Sequence, residues 1–365
     1  MIPVTKSYIP DIEEYKNQIE RAFKNGWLTN RGELIQELES KLKNYLGLDN
    51  ILITTNGTIP IQIALKLYGK YGEIITTPFS YVATTSSIVW ENCTPVFADI
   101  DEDHLTIDEK KIEEKITDKT TCILATHVFG NPCNIEEISR IAKKHNLKVI
   151  YDAAHCFGVK YKGKSIFNFG DVSTVSFHAT KLFHSGEGGA IFTNNRKEFD
   201  KIYYSHNFGH NGPLEYHGLG INGKTSELQA AMGLCVFNNF DKILKQRENQ
   251  SNYYLNNITF SNQLKTIKIR ENTDWNFSYF PLILNSEASL LNLLKELEEK
   301  EIYPRRYFYP SLNKLPYIKE NNFEKFTNSE SISSRIICLP LYHTLDPRQQ
   351  ESIVQIINNF VSYAG

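Results

Sequence analysis

Between residues 51 and 193, short runs dense in Ile, Val and Thr keep recurring, most of them separated by stretches that read as helix. The runs are ILITT (51–55), EIITT (73–77), PVFADI (95–100), CILATHV (122–128), KVIYDA (148–153), VSTVSF (172–177) and GAIFT (189–193). This alternation is the strongest constraint on the fold. Strands apolar on both faces must be covered on both faces, so the pattern predicts βαβ units and a mostly parallel seven-stranded sheet of α/β class. Ligands of such sheets bind outside the carboxyl ends of the strands. A helix over 33–47 precedes the sheet, with Leu34, Ile35, Leu38, Leu42 and Leu46 at helical spacing. From Thr225 a long helical stretch leaves the alternation. A smaller α+β unit follows, with a strand near 278–284, a helix near 288–300 and a closing helix near 347–364. The expected division is a large domain over 1–245 and a small C-terminal domain over 246–365.

Composition removes several classes of function. Forty Lys+Arg against 42 Asp+Glu leave a net charge of −2, so no nucleic-acid partner is expected. No apolar run approaches the ~18 residues of a membrane span. The start, MIPVTKSYIPDIEEYK, lacks the cationic and apolar regions of a secretory signal. Six scattered cysteines without a CxxC pair argue against a disulfide framework and against zinc, and no metal is expected. A cytoplasmic enzyme is the simplest reading.

Three strand ends carry polar groups suited to chemistry. The first strand runs into Asn56-Gly57-Thr58 and then a helix. Gly57 permits close backbone approach, Thr58 is a good N-cap, and free N–H groups at a helix start attract phosphate. A plain capped helix would look the same. The fifth strand ends at Asp152, an acid behind an apolar run, which must be paired or hold a cationic ligand group, although a lone strand-end Asp is more often a cap. The stretch Ser176-Phe177-His178-Ala179-Thr180-Lys181, with Gly186-Glu187-Gly188-Gly189 after it, is the most informative. A single lysine amid apolar and small residues is desolvated and its pKa is lowered, as a Schiff-base amine requires. The bland reading is a surface lysine beside a glycine turn. His127 reads as structural and His178 is open between structure and site. The segment Gly218–Thr225 fits the GxxxxGK[ST] phosphate loop of NTPases, but the Gly- and His-rich residues before it are no strand, which that motif needs.

Taken together, a phosphate-binding helix start, a buried acid and a sequestered lysine are the groups that pyridoxal 5'-phosphate requires. The segments just quoted, with Tyr151-Asp152-Ala153-Ala154-His155, resemble the DegT/DnrJ/EryC1/StrS family of sugar aminotransferases. The likeness extends to Gly26-Trp27-Leu28-Thr29, to Thr77–Thr84, to Gly220-Ile221-Asn222 with Glu227–Ala231, and to Leu339-Pro340-Leu341-Tyr342.

The resemblance implies pyridoxal-phosphate fold type I and a set of roles. Lys181 would condense with the cofactor and move the proton. Asp152 would pair with the pyridine nitrogen, His155 would lie near the ring hydroxyl, and Tyr81 would stack on the ring. Gly57, Thr58 and Ser176 would bind its phosphate. Asn222 would reach the phosphate held by a second subunit, making a homodimer with shared sites. The family commonly has an aromatic residue and an arginine after this Asn, where this chain has Gly223-Lys224, which puts the loop's sugar contacts in doubt. Arg305 or Arg306 would hold a carboxylate or diphosphate. The implied reaction is ping-pong transfer from L-glutamate to C4 of a dTDP-4-keto-6-deoxy sugar, for O-antigen building. Amination at C3 and a non-catalytic regulatory protein are the alternatives. The family's dehydratase branch carries histidine in place of the lysine, so Lys181 speaks against it.

Overall fold

The computed structural model describes residues 1–318 and 325–363. The seven runs form one sheet: β1 (Ile51–Thr54), β2 (Glu73–Thr76), β3 (Thr94–Phe97), β4 (Thr120–Thr126), β5 (Lys148–Asp152), β6 (Val172–Ser176) and β7 (Gly189–Phe192). Their order is β1-β7-β6-β5-β4-β2-β3. Only β7 is antiparallel to its neighbours.

Alternate residues of each strand feed two different cores. Ile51, Ile53, Ile123 and Val149 pack on one side with Leu34, Leu38, Phe157, Phe183 and Leu234. Leu52, Cys122, Leu124 and Ile150 pack on the other with Ile61, Leu65, Ile88 and Ile202. Burial on both faces is the reason the strands read as continuous apolar runs rather than as alternating ones.

Several boundaries differ from expectation. β3 ends at Phe97 because Asp99 leaves the sheet: its carboxylate accepts from the N–H groups of Asn328 (3.0 Å) and Ser329 (2.9 Å). It thereby caps the helix Thr327–Arg335 and ties the sheet to the C-terminal part. The stretch after Thr225 is two helices, Glu227–Asn238 and Phe240–Asn257, broken at Asn239. Position 245 lies inside the second. The strand expected over 278–284 is Pro281–Leu284, since Phe277 turns through φ 52° and Ser278 bonds sideways to the His155 carbonyl (3.1 Å). It pairs antiparallel with Leu264–Lys265 and Ile336–Cys338. The helices Glu287–Glu298 and Pro347–Tyr363 cover this small sheet through Leu290, Leu293, Ile353 and Ile357. Ala364, the expected last helical residue, lies outside the described residues.

The helix Glu33–Leu46 has Gly32 as its N-cap and no local capping side chain. Glu227, 193 residues later, supplies the cap: its carboxylate accepts from the Leu34 N–H (2.7 Å) and the Ile35 N–H (3.1 Å). Glu227→Ala would leave two N–H groups in a dry interface, at about 1–3 kcal/mol for an orphaned polar group. The expected result is a melting temperature lower by a few degrees in a thermal scan; an unchanged midpoint would show the cap to be dispensable. Among the described residues, no helix is long and apolar enough to cross a membrane, and no group of three or more His, Cys, Asp or Glu could hold a metal ion.

Candidate active site

A cavity of about 240 Å³ opens at the carboxyl ends of β1, β5 and β6. Gly57, Thr58, Tyr81, Asp152, His155, Ser176 and Lys181 all line it. Sequence positions spread over more than 120 residues therefore meet in one place.

At one end lies the start of the helix Thr58–Tyr68. Gly57 is the N-cap and Thr58 the first helical residue, so Thr58 is not the cap expected of it. The capping atom is Asn56 Oδ1, which accepts from the N–H groups of Thr58 (2.9 Å) and Ile59 (3.0 Å). Asn can fold back on the backbone two residues ahead, and a short side chain before Gly does so readily. A Cβ on Gly57 would lie 2.6 Å from the Ser176 Cβ, so glycine is what allows β1 and β6 to bring their ends together. The Ser176 hydroxyl accepts from the His178 N–H at 3.3 Å.

Asp152 ends β5 and is buried. Its Oδ2 accepts from the Thr84 hydroxyl (2.7 Å) and its Oδ1 from the Ala154 N–H (3.1 Å). Ser80 continues the hydroxyl chain, with its Oγ 2.8 Å from Thr84 Oγ1 and 3.1 Å from Thr126 Oγ1. Burial pushes the carboxyl pKa up, and the two donated bonds oppose that. No ion pair holds it among the described residues. A buried acid beside a cavity, hydrogen-bonded by neutral donors and acted on by the Lys181 charge, is suited to a cationic group entering from the cavity, such as a protonated ring nitrogen.

His155 Nδ1 accepts from the Phe129 N–H (3.1 Å), which leaves the ring proton on Nε2. Burial holds its pKa well below the usual value, so the ring is neutral. Its ring packs nearly parallel beside those of Phe129 and Phe308, with centroids 6.1 and 5.9 Å away. Lys181 follows β6 in the turn leading to β7. Desolvation lowers its amine to about 8, against the opposing pull of Asp152. Its Nζ lies 3.2 Å from the Tyr279 hydroxyl. Tyr81, just before the helix Val82–Trp90, is 54% exposed and stands at the rim.

Asn222 does not line this cavity. It sits on the exposed loop before the Glu227 helix, and its Oδ1 accepts from Lys224 Nζ (2.7 Å). The same loop touches the end of β1, because the Thr55 N–H donates to the Gly223 carbonyl (2.9 Å). The residues before Gly218 form isolated bridges, Asn207 to Asn222 and His210 to Tyr216, instead of a strand. His127 lies fully buried away from the cavity, its Nδ1 accepting from the Cys133 N–H (3.0 Å). His178 lines the cavity, with Nδ1 2.8 Å from Thr180 Oγ1. The two arginines separate. Arg306 donates to Glu287 (2.7 Å) and to the Ser334 carbonyl (2.8 Å), whereas Arg305 lines the cavity. Sequence reasoning gave no role to Thr84, though it lies in the Thr77–Thr84 segment, and missed Tyr279, which stands in no local pattern pointing to chemistry. Asn56 had a signal, an Asn before Gly at a strand end.

One antiparallel strand in a parallel sheet, with a lysine, a buried aspartate and a helix start converging at its carboxyl edge, defines the fold-type-I aminotransferase class. The chain belongs to the DegT/DnrJ/EryC1/StrS aminotransferase family, whose model matches residues 10–358. It is 39% identical over 357 residues to the dTDP-4-amino-4,6-dideoxy-D-glucose transaminase of Shigella dysenteriae, covering 97% of each chain. To the protein of the same name from Escherichia coli it is 36% identical over 365 residues, covering 97% of this chain and 96% of the other. The solved structure of DesI in the presence of its TDP-sugar product is similar at a TM-score of 0.93 and 25% identity, covering 100% of this chain and 93% of that one. The Helicobacter pylori aminotransferase PseC shares the fold at a TM-score of 0.90 and 22% identity, covering 99% of each chain.

Proposed function

We propose that this aminotransferase binds pyridoxal 5'-phosphate and transfers the amino group of L-glutamate to C4 of a dTDP-4-keto-6-deoxy sugar, giving the 4-amino-4,6-dideoxy sugar for surface polysaccharide. The observation that carries the cofactor is the meeting of Lys181, Asp152 and the Thr58 helix start in one cavity. The substrate rests on the names of two relatives that match along nearly the whole chain.

When bound, pyridoxal phosphate supplies a conjugated ring that withdraws electrons from the donor Cα and carries the amino group between half-reactions. The chain's own residues do the rest. Gly57, Thr58 and Ser176 take the phosphate at a helix N-terminus, whose dipole favours negative charge. Asp152 keeps the ring nitrogen protonated by holding a negative charge against it. The neutral His155 offers its Nε2 proton to the ring hydroxyl, and Tyr81 covers a ring face. Lys181, with an amine near neutral pH, takes the proton from the donor Cα and returns it to the acceptor carbon.

Arg305 is the anion anchor for an incoming substrate, either a glutamate carboxylate or the nucleotide diphosphate. Arg305→Met is expected to raise one substrate KM by roughly ten- to a hundredfold with a smaller change in kcat, as losing a charged hydrogen bond of about 1.5–3 kcal/mol implies. Steady-state kinetics on both substrates checks this, and unchanged values for both reject the anchor. Asn222 serves the phosphate bound by a second copy, so the working unit is a homodimer. Mixed dimers of Lys181→Ala and Asn222→Ala subunits then regain one intact site. The six cysteines are buried and free, in keeping with a cytoplasmic setting. Incubation with L-glutamate and dTDP-4-keto-6-deoxyglucose, followed by product NMR, tests the whole reading. No amine transfer, or an amine at C3 from the 3-keto isomer alone, would reject it.

A further inference from the structure

The Lys181 amine has a neighbour that the motifs around it do not contain. Its Nζ donates to the Tyr279 hydroxyl at 3.2 Å, across 98 residues of sequence. Tyr279 stands just before the strand Pro281–Leu284, and its ring is fixed by other rings on several sides. The centroids of His155, Tyr307 and Phe129 lie 4.6, 5.1 and 5.5 Å away. Buried Arg247 reaches in from the helix Phe240–Asn257, and its Nη1 donates to the Ser278 carbonyl (3.0 Å), fixing the backbone one residue earlier. Of these rings, Tyr307 stands edge-on against the same phenol ring, at 76° to it. So much support for a single hydroxyl beside a reactive amine is more than filling space requires.

We propose that Tyr279 is a positioning residue for Lys181: by accepting one N–H of the amine, it fixes where the nitrogen lone pair faces in the cavity. This rests on the pyridoxal-phosphate reading above. A lysine amine turns freely about its last bond unless a fixed partner holds it. A single fixed acceptor selects one rotor, and rates of attack depend steeply on such alignment. Burial keeps the Tyr279 phenol protonated well above the working range, so it orients the amine without exchanging charge with it.

Loading of the apoprotein with pyridoxal 5'-phosphate isolates this effect without turnover. The Nζ lone pair adds to the aldehyde carbon, a C=N bond forms, one water leaves, and an absorbance band appears. Stopped-flow loading across pH 6–10 is compared for wild type, Tyr279→Phe and Tyr307→Phe. The charged and titratable groups acting on the amine are Asp152, Tyr81, Arg305, Cys156 and His155, and all are unchanged in these variants. In Tyr279→Phe the plateau rate is expected to fall about 10- to 100-fold. The midpoint should move below the wild-type value near 8, because the phenol oxygen accepts from the ammonium and so favours the charged form. A lower pKa alone would speed loading at neutral pH, so slower loading together with a lower midpoint marks orientation. Tyr307→Phe keeps the ring that packs edge-on against Tyr279 and should change the rate by only a few fold. The same plateau and midpoint in Tyr279→Phe would overturn the proposal, as would an equal loss in Tyr307→Phe, which would point to ring packing. A wild-type protein that forms no band rejects the cofactor reading and this inference with it; a normal wild-type band beside an unaffected Tyr279→Phe rejects only the inference.

Discussion

Lys181→Ala is expected to abolish transamination and the absorbance band of the covalently held cofactor. The lysine lies in the cavity among groups that cannot replace it: Asp152 is an acid, His155 is neutral and buried, and Arg305 carries a guanidinium in place of a primary amine. Desolvation holds the amine near 8, so a usable fraction is neutral at pH 7 and that fraction grows as pH rises. Removing a positioned base costs about 10²–10⁴-fold in general acid–base chemistry, and here the covalent attachment is lost as well. Absorbance spectra and a glutamate-to-sugar assay read both effects. A variant that kept the band together with full turnover would end the assignment of Lys181.

Asp152→Asn is expected to lower turnover by about 10²–10³-fold while retaining some cofactor, since an amide cannot hold a pyridinium proton by charge. Part of any loss could come from the hydrogen bonds alone. The carboxylate accepts from both Thr84 and Ala154, and an amide can accept at only one of its two terminal atoms. Thr84→Val separates the two causes, because it removes the 2.7 Å bond and leaves the charge in place. Its turnover should fall less than tenfold. Equal losses in the two variants, or wild-type rates in Asp152→Asn, would assign Asp152 a structural task only.

The signals that sequence carried well were local. The seven strands were legible because all but the edge strand Thr94–Phe97 are largely buried on both faces and so read as runs of apolar and β-branched residues. Gly57, Asp152 and Lys181 were legible because each stands where a strand ends, a place that chain periodicity marks without any knowledge of packing. Local reading failed where two local rules compete. Thr58 and Asn56 are both good caps, and only the backbone at Gly57 decided that Asn56 Oδ1 would take the N–H groups. The break at Asn239 was hidden because apolar spacing continues into the next helix.

By itself, then, the sequence determined the two-sided α/β sheet, the place of Lys181 at a strand end and the family, since periodicity and short motifs record what each segment does with its own neighbours. Tertiary structure alone decided which distant groups meet. Glu227 caps a helix 193 residues away, Thr84 steadies an acid 68 residues away, and Tyr279 reaches an amine 98 residues away. It also separated two adjacent arginines: Arg306 turns to Glu287, while Arg305 is left facing the cavity, its backbone bonded in both directions to Cys338. Contacts of this kind depend on how packed elements cross, and spacing along one segment holds no record of that crossing.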